Sequence, residues 1–132
     1  MVLWKLLNSY CWRFSNLGNR GVIMSSDQCF NLIPTKELNM PTVQVNMGGK
    51  SFMLYSKYYP SRDSKAFAEE AYDENIGNYI VYGLGLGYHI NELEQLIKMK
   101  GADYHIYIVE GNAEILKIAE ENINLDGLLK NE

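Results

Sequence analysis

The chain has 132 residues, 47% of them hydrophobic and 21% charged, a composition that supports one folded domain with a core and excludes intrinsic disorder. Its 12 Lys and Arg stand against 16 Asp and Glu, a net charge of −4 with no basic run, which argues against a nucleic-acid partner. No apolar stretch approaches the roughly 18 residues of a membrane span, and Lys5, Asn8 and Arg13 interrupt any signal-peptide core, so the chain is read as cytoplasmic.

Residues 1–41 form an N-terminal segment. Hydrophobic positions 3, 4, 6, 7, 10, 12 and 14 fit one amphipathic helix, and "NLGNRG" after them reads as a turn. Cys11 and Cys29 have neither a CxxC spacing nor a nearby His, so both are expected as reduced thiols. Pro34 and Pro41 bracket a polar connector. In the second region, 42–78, the pattern changes to period two: Val43, Val45 and Met47 alternate with Gln44 and Asn46, and Phe52 and Leu54 alternate with Ser51 and Met53. Gly48-Gly49 between the two runs supplies a hairpin turn. Pro60 then opens a helix with Asp63 near its start and Ala66, Phe67 and Ala71 as its apolar side, ending at 75–78 around Gly77.

The third region, 79–132, reads as a βαβα half-unit. Residues 79–82 make a short strand that is apolar on both faces, as suits a parallel sheet covered on both sides. Ile90, Leu93, Leu96 and Ile97 recur at helical spacing, with Glu92 and Glu94 toward the start, Lys98 and Lys100 toward the end, and Gly101 as the stop. "YHIYIVE" is the second strand. Asn112 caps the next helix, whose inward face is Ile115, Leu116, Ile118, Ala119 and Ile123 and which runs toward Asp126-Gly127. The expected class is α/β: a partial Rossmann-like βαβα unit preceded by a β-hairpin and helix. Two strands offer one wall of a ligand crevice, so the half-unit reads as truncated, or as completed by the hairpin or by a second copy across an open sheet edge.

Between the first strand of this unit and its helix, "YGLGLGYH" places Gly83, Gly85 and Gly87 at alternate positions. A strand that turns abruptly into a helix needs conformations that glycine adopts cheaply, and the helix start aims N–H groups and its positive dipole end at the gap. Tyr88 stands where G-x-G-x-x-G requires its last glycine, which moves the reading from dinucleotide loops toward the G-x-G-x-G loops of methyl-donor-binding folds. Val81 occupies the place where methyltransferases carry an acid. Glu110 ends the second strand, 23 residues after Gly87, about where an acidic side chain reaches ribose hydroxyls. His89, in the first helical turn, could touch a bound phosphate; His105 is expected to be structural. Lys57 and Arg62 could neutralise phosphate, and Tyr55, Tyr58 and Tyr59 could stack on a base or sugar. Such turns also occur in α/β folds that bind nothing.

The expected ligand-binding set is therefore Gly83, Gly85, Gly87, Tyr88, His89 and Glu110, for a small nucleotide ligand, with nucleotide-sugar and S-adenosylmethionine both open. No metal-ligand spacing and no G-x-S-x-G elbow is present, so no metal is expected and no catalytic residue is identified.

"LYSKYYPSRDSKAFAEE", "IVYGLGLGYHINEL" and "IYIVEGNAEILKIAEENINLDGLL" resemble the N-terminal portion of the bacterial motility-associated-factor family of flagellin glycosyltransferases, whose central domain is related to archaeal hydroxymethylpterin diphosphokinases. The similarity covers roughly residues 43–129, and the G-x-G-x-G-Y-H loop followed by a strand ending in Glu is its most specific piece. The family's "HSKYDP" segment reads here from Tyr55 to Pro60, with Tyr55 for His and Tyr59 for Asp. The resemblance implies transfer of a nonulosonic sugar from its CMP-activated form to Ser or Thr of flagellin. Family chains continue for several hundred residues beyond this point, so the catalytic region is expected in that continuation and this portion is expected to be inactive by itself.

Overall fold

The computed structural model describes residues 28–129. The amphipathic helix expected at 3–14, the "NLGNRG" turn and Cys11 lie outside the described residues. Strands β1 (Cys29–Ile33), β2 (Thr42–Met47) and β3 (Lys50–Met53) form an antiparallel sheet in that order. The expected hairpin is β2–β3, registered by Val45 opposite Phe52 and turned at Gly48 and Gly49, both at positive φ. β1 carries no alternating apolar pattern of its own. Its residues are partly or fully exposed, and it is a strand because β2 offers it a free ladder, Phe30 lying opposite Val45 and Leu32 opposite Val43.

Helix α1 (Pro60–Ala71) follows, opened by Pro60 at its first turn. Its buried side is Pro60, Ser64 and Ala68, with Phe67 and Ala71 partly buried, whereas Ala66 faces solvent. Ser64 can take a core position because its hydroxyl donates to the Pro60 carbonyl at 2.9 Å. Strand β4 (Asn78–Tyr82) pairs in parallel with β5 (His105–Val109), Tyr79 opposite Ile106 and Val81 opposite Ile108. The crossover between them is α2 (Tyr88–Lys100), which packs on α1 and stops at Gly101, φ 70°. Helix α3 (Ala113–Asn122) is capped by Asn112, whose side-chain oxygen accepts from the Glu114 and Ile115 N–H groups. It ends before Asp126-Gly127 because Asn124 starts a separate short helix, α4 (Leu125–Leu129), accepting from the Gly127 N–H at 3.0 Å. Ile115 and Ala119 are its buried positions, and Leu116 lies a further 100° round the helix on the outside.

The described chain is thus mixed α/β, with an antiparallel sheet and a parallel strand pair. One buried cluster gathers Tyr79, Val81, Ile90, Leu93, Ile97 and Ala119 between the parallel strands and the helices. A second gathers Val43, Val45, Leu54, Tyr55 and Ile115 under the antiparallel sheet. Leu84 belongs to the first and Leu86 to the second, so the alternation in G-L-G-L-G sends two leucines into two different cores. Burying each contributes about 1.5–3 kcal/mol and ties the two layers together at the loop.

β4 departs from the expectation of a strand covered on both faces. Tyr79 and Val81 are buried, but Ile80 and Tyr82 are exposed, because both α2 and α3 lie on the Tyr79–Val81 side. No helix among the described residues is long and apolar enough to cross a membrane.

Candidate functional site

The loop from β4 to α2 holds all three glycines at positive φ: 95° at Gly83, 52° at Gly85 and 74° at Gly87. Four of its N–H groups are used within the fold. The Gly83 N–H donates to the Val109 carbonyl at 2.7 Å, extending the parallel ladder, and the Gly87 N–H donates to Leu84 at 2.9 Å. Leu84 N–H donates to a Glu110 carboxylate oxygen at 2.9 Å, and Leu86 N–H donates to the Tyr55 hydroxyl at 3.2 Å.

Tyr55 is the residue that organises the site. Its backbone is clamped by buried Thr42, whose hydroxyl donates to the Tyr55 carbonyl at 2.9 Å and accepts from the Tyr55 N–H at 3.0 Å. Its ring reaches across to the loop, and its oxygen sits 2.8 Å from Nδ1 of His89. His89 Nε2 lies 3.1 Å from the Gly83 carbonyl, which can only accept, so Nε2 carries the proton and Nδ1 accepts from the tyrosine. The relay therefore runs from the Leu86 N–H through Tyr55 and His89 to the Gly83 carbonyl. Phe67 closes it edge-on, with ring centroids 5.0 Å apart.

Electrostatics follow from that enclosure. Burial drives the His89 imidazole down to about 4, partly opposed by its bond to the Gly83 carbonyl, so the ring is neutral near pH 7. Burial also pushes the Tyr55 hydroxyl up, although the backbone N–H groups of Leu86, Tyr88 and Gly87 act against it. Those N–H groups belong to the start of α2, the place where an anionic ligand was expected. The Tyr55 oxygen stands there instead, and a Cβ on Gly85 would lie 2.7 Å from it. Gly87 is packed from the other side, where a Cβ would meet Leu128 at 3.1 Å and Ile123 at 3.3 Å.

The six residues expected to bind a ligand are thus brought together in space but not onto one surface. Gly85, Gly87 and His89 are buried, and His89 makes a structural bond at each ring nitrogen. Tyr88 is half-buried, its hydroxyl donates to the Pro41 carbonyl at 3.0 Å, and burial pushes it up to about 12. Gly83 and Glu110 remain partly open at the carboxyl ends of β4 and β5. The Glu110 carboxylate bridges the two strand ends, accepting from Leu84 N–H on one oxygen and from Asn112 N–H at 2.8 Å on the other. Each oxygen keeps a further lone pair. Lys57 and Arg62 lie over the rings of Tyr58 and Tyr59 at 5.2 and 5.8 Å, which places their charges on exposed tyrosines of that segment. Among the described residues no three His, Cys, Asp or Glu side chains gather as metal ligands.

Thr42 and the structural role of Tyr55 escaped the sequence because their partners are long-range: Tyr55 is 31 residues from Leu86 and 34 from His89. Thr42→Val should lower stability by about 2 kcal/mol, since a shape-matched side chain leaves two backbone groups of Tyr55 without their partner. Urea denaturation reads it; an unchanged midpoint would remove Thr42 from the clamp. No family model, curated protein or solved structure matches the chain significantly.

Proposed function

We propose that this chain is a Rossmann-like, ligand-binding portion of a motility-associated-factor-like glycosyltransferase, holding the nucleotide part of a nucleotide-sugar while catalysis resides elsewhere. The observation that carries the reading is the position of Glu110. Parallel sheets take their ligands outside the carboxyl ends of the strands. Glu110 lies at that end of β5, partly exposed, beside the loop that leaves β4, with lone pairs free to accept from ribose hydroxyls. The family likeness rests on the residues of the loop and of the strand ending in Glu110. The proposal assigns no catalytic step to this portion, because His89, the histidine at the loop, is buried and neutral. A methyl-donor reading is less well supported, because Val81 is buried in the core where such enzymes carry an acid.

A second reading has its own observation. Since the Tyr55 hydroxyl stands at the start of α2, the glycines of the loop are accounted for by packing, and the unit then serves as a binding-silent scaffold.

Titrating CMP, a CMP-sugar, S-adenosylmethionine and a pterin into the full chain separates these. The expected result is a raised melting temperature with the cytidine compounds, amide resonance shifts at Gly83, Leu84 and Glu110–Asn112, and no turnover of the CMP-sugar. A response to S-adenosylmethionine alone would replace the proposal with the methyl-donor reading, and silence from every compound would leave only the scaffold.

A further inference from the structure

The turn between β1 and β2 holds a leucine out into water. Thr35 fixes that turn, its hydroxyl accepting from the Glu37 N–H at 3.1 Å and donating to the Met40 carbonyl at 2.7 Å. Asn39 completes it at φ 60°, a left-handed value that asparagine tolerates. Glu37 ties the turn to the start of α1, its carboxylate accepting from the Ser61 N–H at 2.8 Å and from the Ser61 hydroxyl. Leu38, at the tip, is 89% exposed.

Four exposed cations lie beside this turn. Lys36 belongs to it, with Nζ 4.9 Å from the ring centre of Tyr58, and Lys57 Nζ stands 5.2 Å from the same ring. Arg62 lies over Tyr59 at 5.8 Å, and Lys65 is one helical turn beyond Ser61. The Ser61 bonds, and then the charge of Lys65, hold the Glu37 carboxyl below its ordinary range. Both tyrosines are exposed, at 46% and 47%. The acids of the patch are Glu37 and Asp63, and each already holds a backbone N–H, of Ser61 and of Ser56. Four cations against two acids leave a local net of +2 on a chain of net −4, so attraction to an anionic surface would be local to this patch.

We propose that this patch docks the chain on an anionic lipid surface, with Leu38 entering the boundary between headgroups and acyl chains and Lys36, Lys57, Arg62 and Lys65 meeting the headgroup phosphates. Basic side chains are drawn to such a surface, and tyrosine is at home at headgroup level. An apolar tip among cations fits a partner whose charge overlies an apolar layer, which an acidic peptide in solution does not offer. Single-stranded nucleic acid stacks its bases on open rings, whereas cations lie over Tyr58 and Tyr59.

Co-sedimentation of the full chain with vesicles tests this. The chain should pellet with vesicles of phosphatidylcholine and phosphatidylglycerol at low salt, stay in solution with phosphatidylcholine alone, and be released as salt rises. Lys36→Gln and Lys65→Gln should each weaken binding about fivefold, and Leu38→Ser about tenfold, with the far-ultraviolet circular dichroism retained. Lys100→Gln, at the last residue of α2, removes the same charge elsewhere and should leave binding unchanged. In a Cys11→Ser, Cys29→Ser background, a polarity-sensitive dye on Leu38→Cys should shift to the blue on the anionic vesicles. The same dye on Met99→Cys, 77% exposed in α2, should not shift. No pelleting with the anionic vesicles, pelleting that ignores phosphatidylglycerol, or equal losses for Lys36→Gln and Lys100→Gln would overturn the proposal. Binding to dissolved polyglutamate that ignores Leu38→Ser, with no pelleting on vesicles, would assign the patch to an acidic protein segment instead.

Discussion

Gly85→Ala is expected to lower the stability of the chain by about 4 kcal/mol, a large part of the 5–15 kcal/mol that holds a typical domain together. Two costs add. The backbone at φ 52° is left-handed, which an alanine occupies at about 1–2 kcal/mol. The new Cβ would lie 2.7 Å from the Tyr55 hydroxyl and 3.3 Å from the ring carbon that bears it. That tyrosine has no room to give, because Thr42 fixes its backbone and Leu86 and His89 fix its oxygen. Displacing it orphans a buried N–H and a buried ring nitrogen, at about 1–3 kcal/mol for each.

Gly48 is the internal comparison. It has a similar φ of 57°, and a Cβ there would meet nothing within 4 Å. Gly48→Ala should therefore cost only the backbone strain. The steric part can be isolated by a double-mutant cycle: Tyr55→Phe removes the atom at 2.7 Å, so Gly85→Ala should cost roughly 2 kcal/mol less in that background. Equal losses for Gly85→Ala and Gly48→Ala in urea denaturation would sink the argument. A glycine kept for ligand approach gives the opposite pattern, with binding lost and stability little changed.

Much of the fold was legible because it is written at short range. The β2–β3 hairpin follows from alternation around Gly48-Gly49, and α2 and α3 follow from apolar spacing with Gly101 and Asn112 as punctuation. β1 was not legible, since its pairing comes from β2 and its own residues alternate poorly. The same division runs through the site. The sequence located the loop and Glu110, because glycine and strand-end acids have fixed local meanings. It left the glycines open between a ligand and a turn that binds nothing, and it could not show that Tyr55, a residue far away in sequence, stands at the helix start and packs against Gly85. The open face of β4 was hidden for a related reason: Tyr79, Ile80, Val81 and Tyr82 are all apolar, so only the placement of both helices on one side distinguishes the covered pair from the uncovered one.

Acid should open the same relay from its other end. His89 has a folded value of about 4 against 6.5 in the unfolded chain, so between those values the unfolded state binds the proton and the folded state does not. Stability is then complete above pH 6.5, falls as the pH drops toward 4, and levels off below, a loss of about 3 kcal/mol from this group. Carboxylates titrate in the lower part of that window, so the difference between the chain and His89→Gln isolates the imidazole. Glutamine can still donate to the Gly83 carbonyl, and it should start less stable yet lack this part of the slope; parallel stability curves for the two proteins would refute the assignment. The structural reason is directional. A protonated Nδ1 would aim an N–H at the Tyr55 oxygen, which already accepts from Leu86, and the tyrosine proton could no longer be donated to Nδ1. The bond that yields is the one between Tyr55 and the loop, so the amide of Leu86 should lose hydrogen-exchange protection between pH 6.5 and 4 in excess of the intrinsic rate, while Leu93 and Ile97 in the middle of α2 keep theirs.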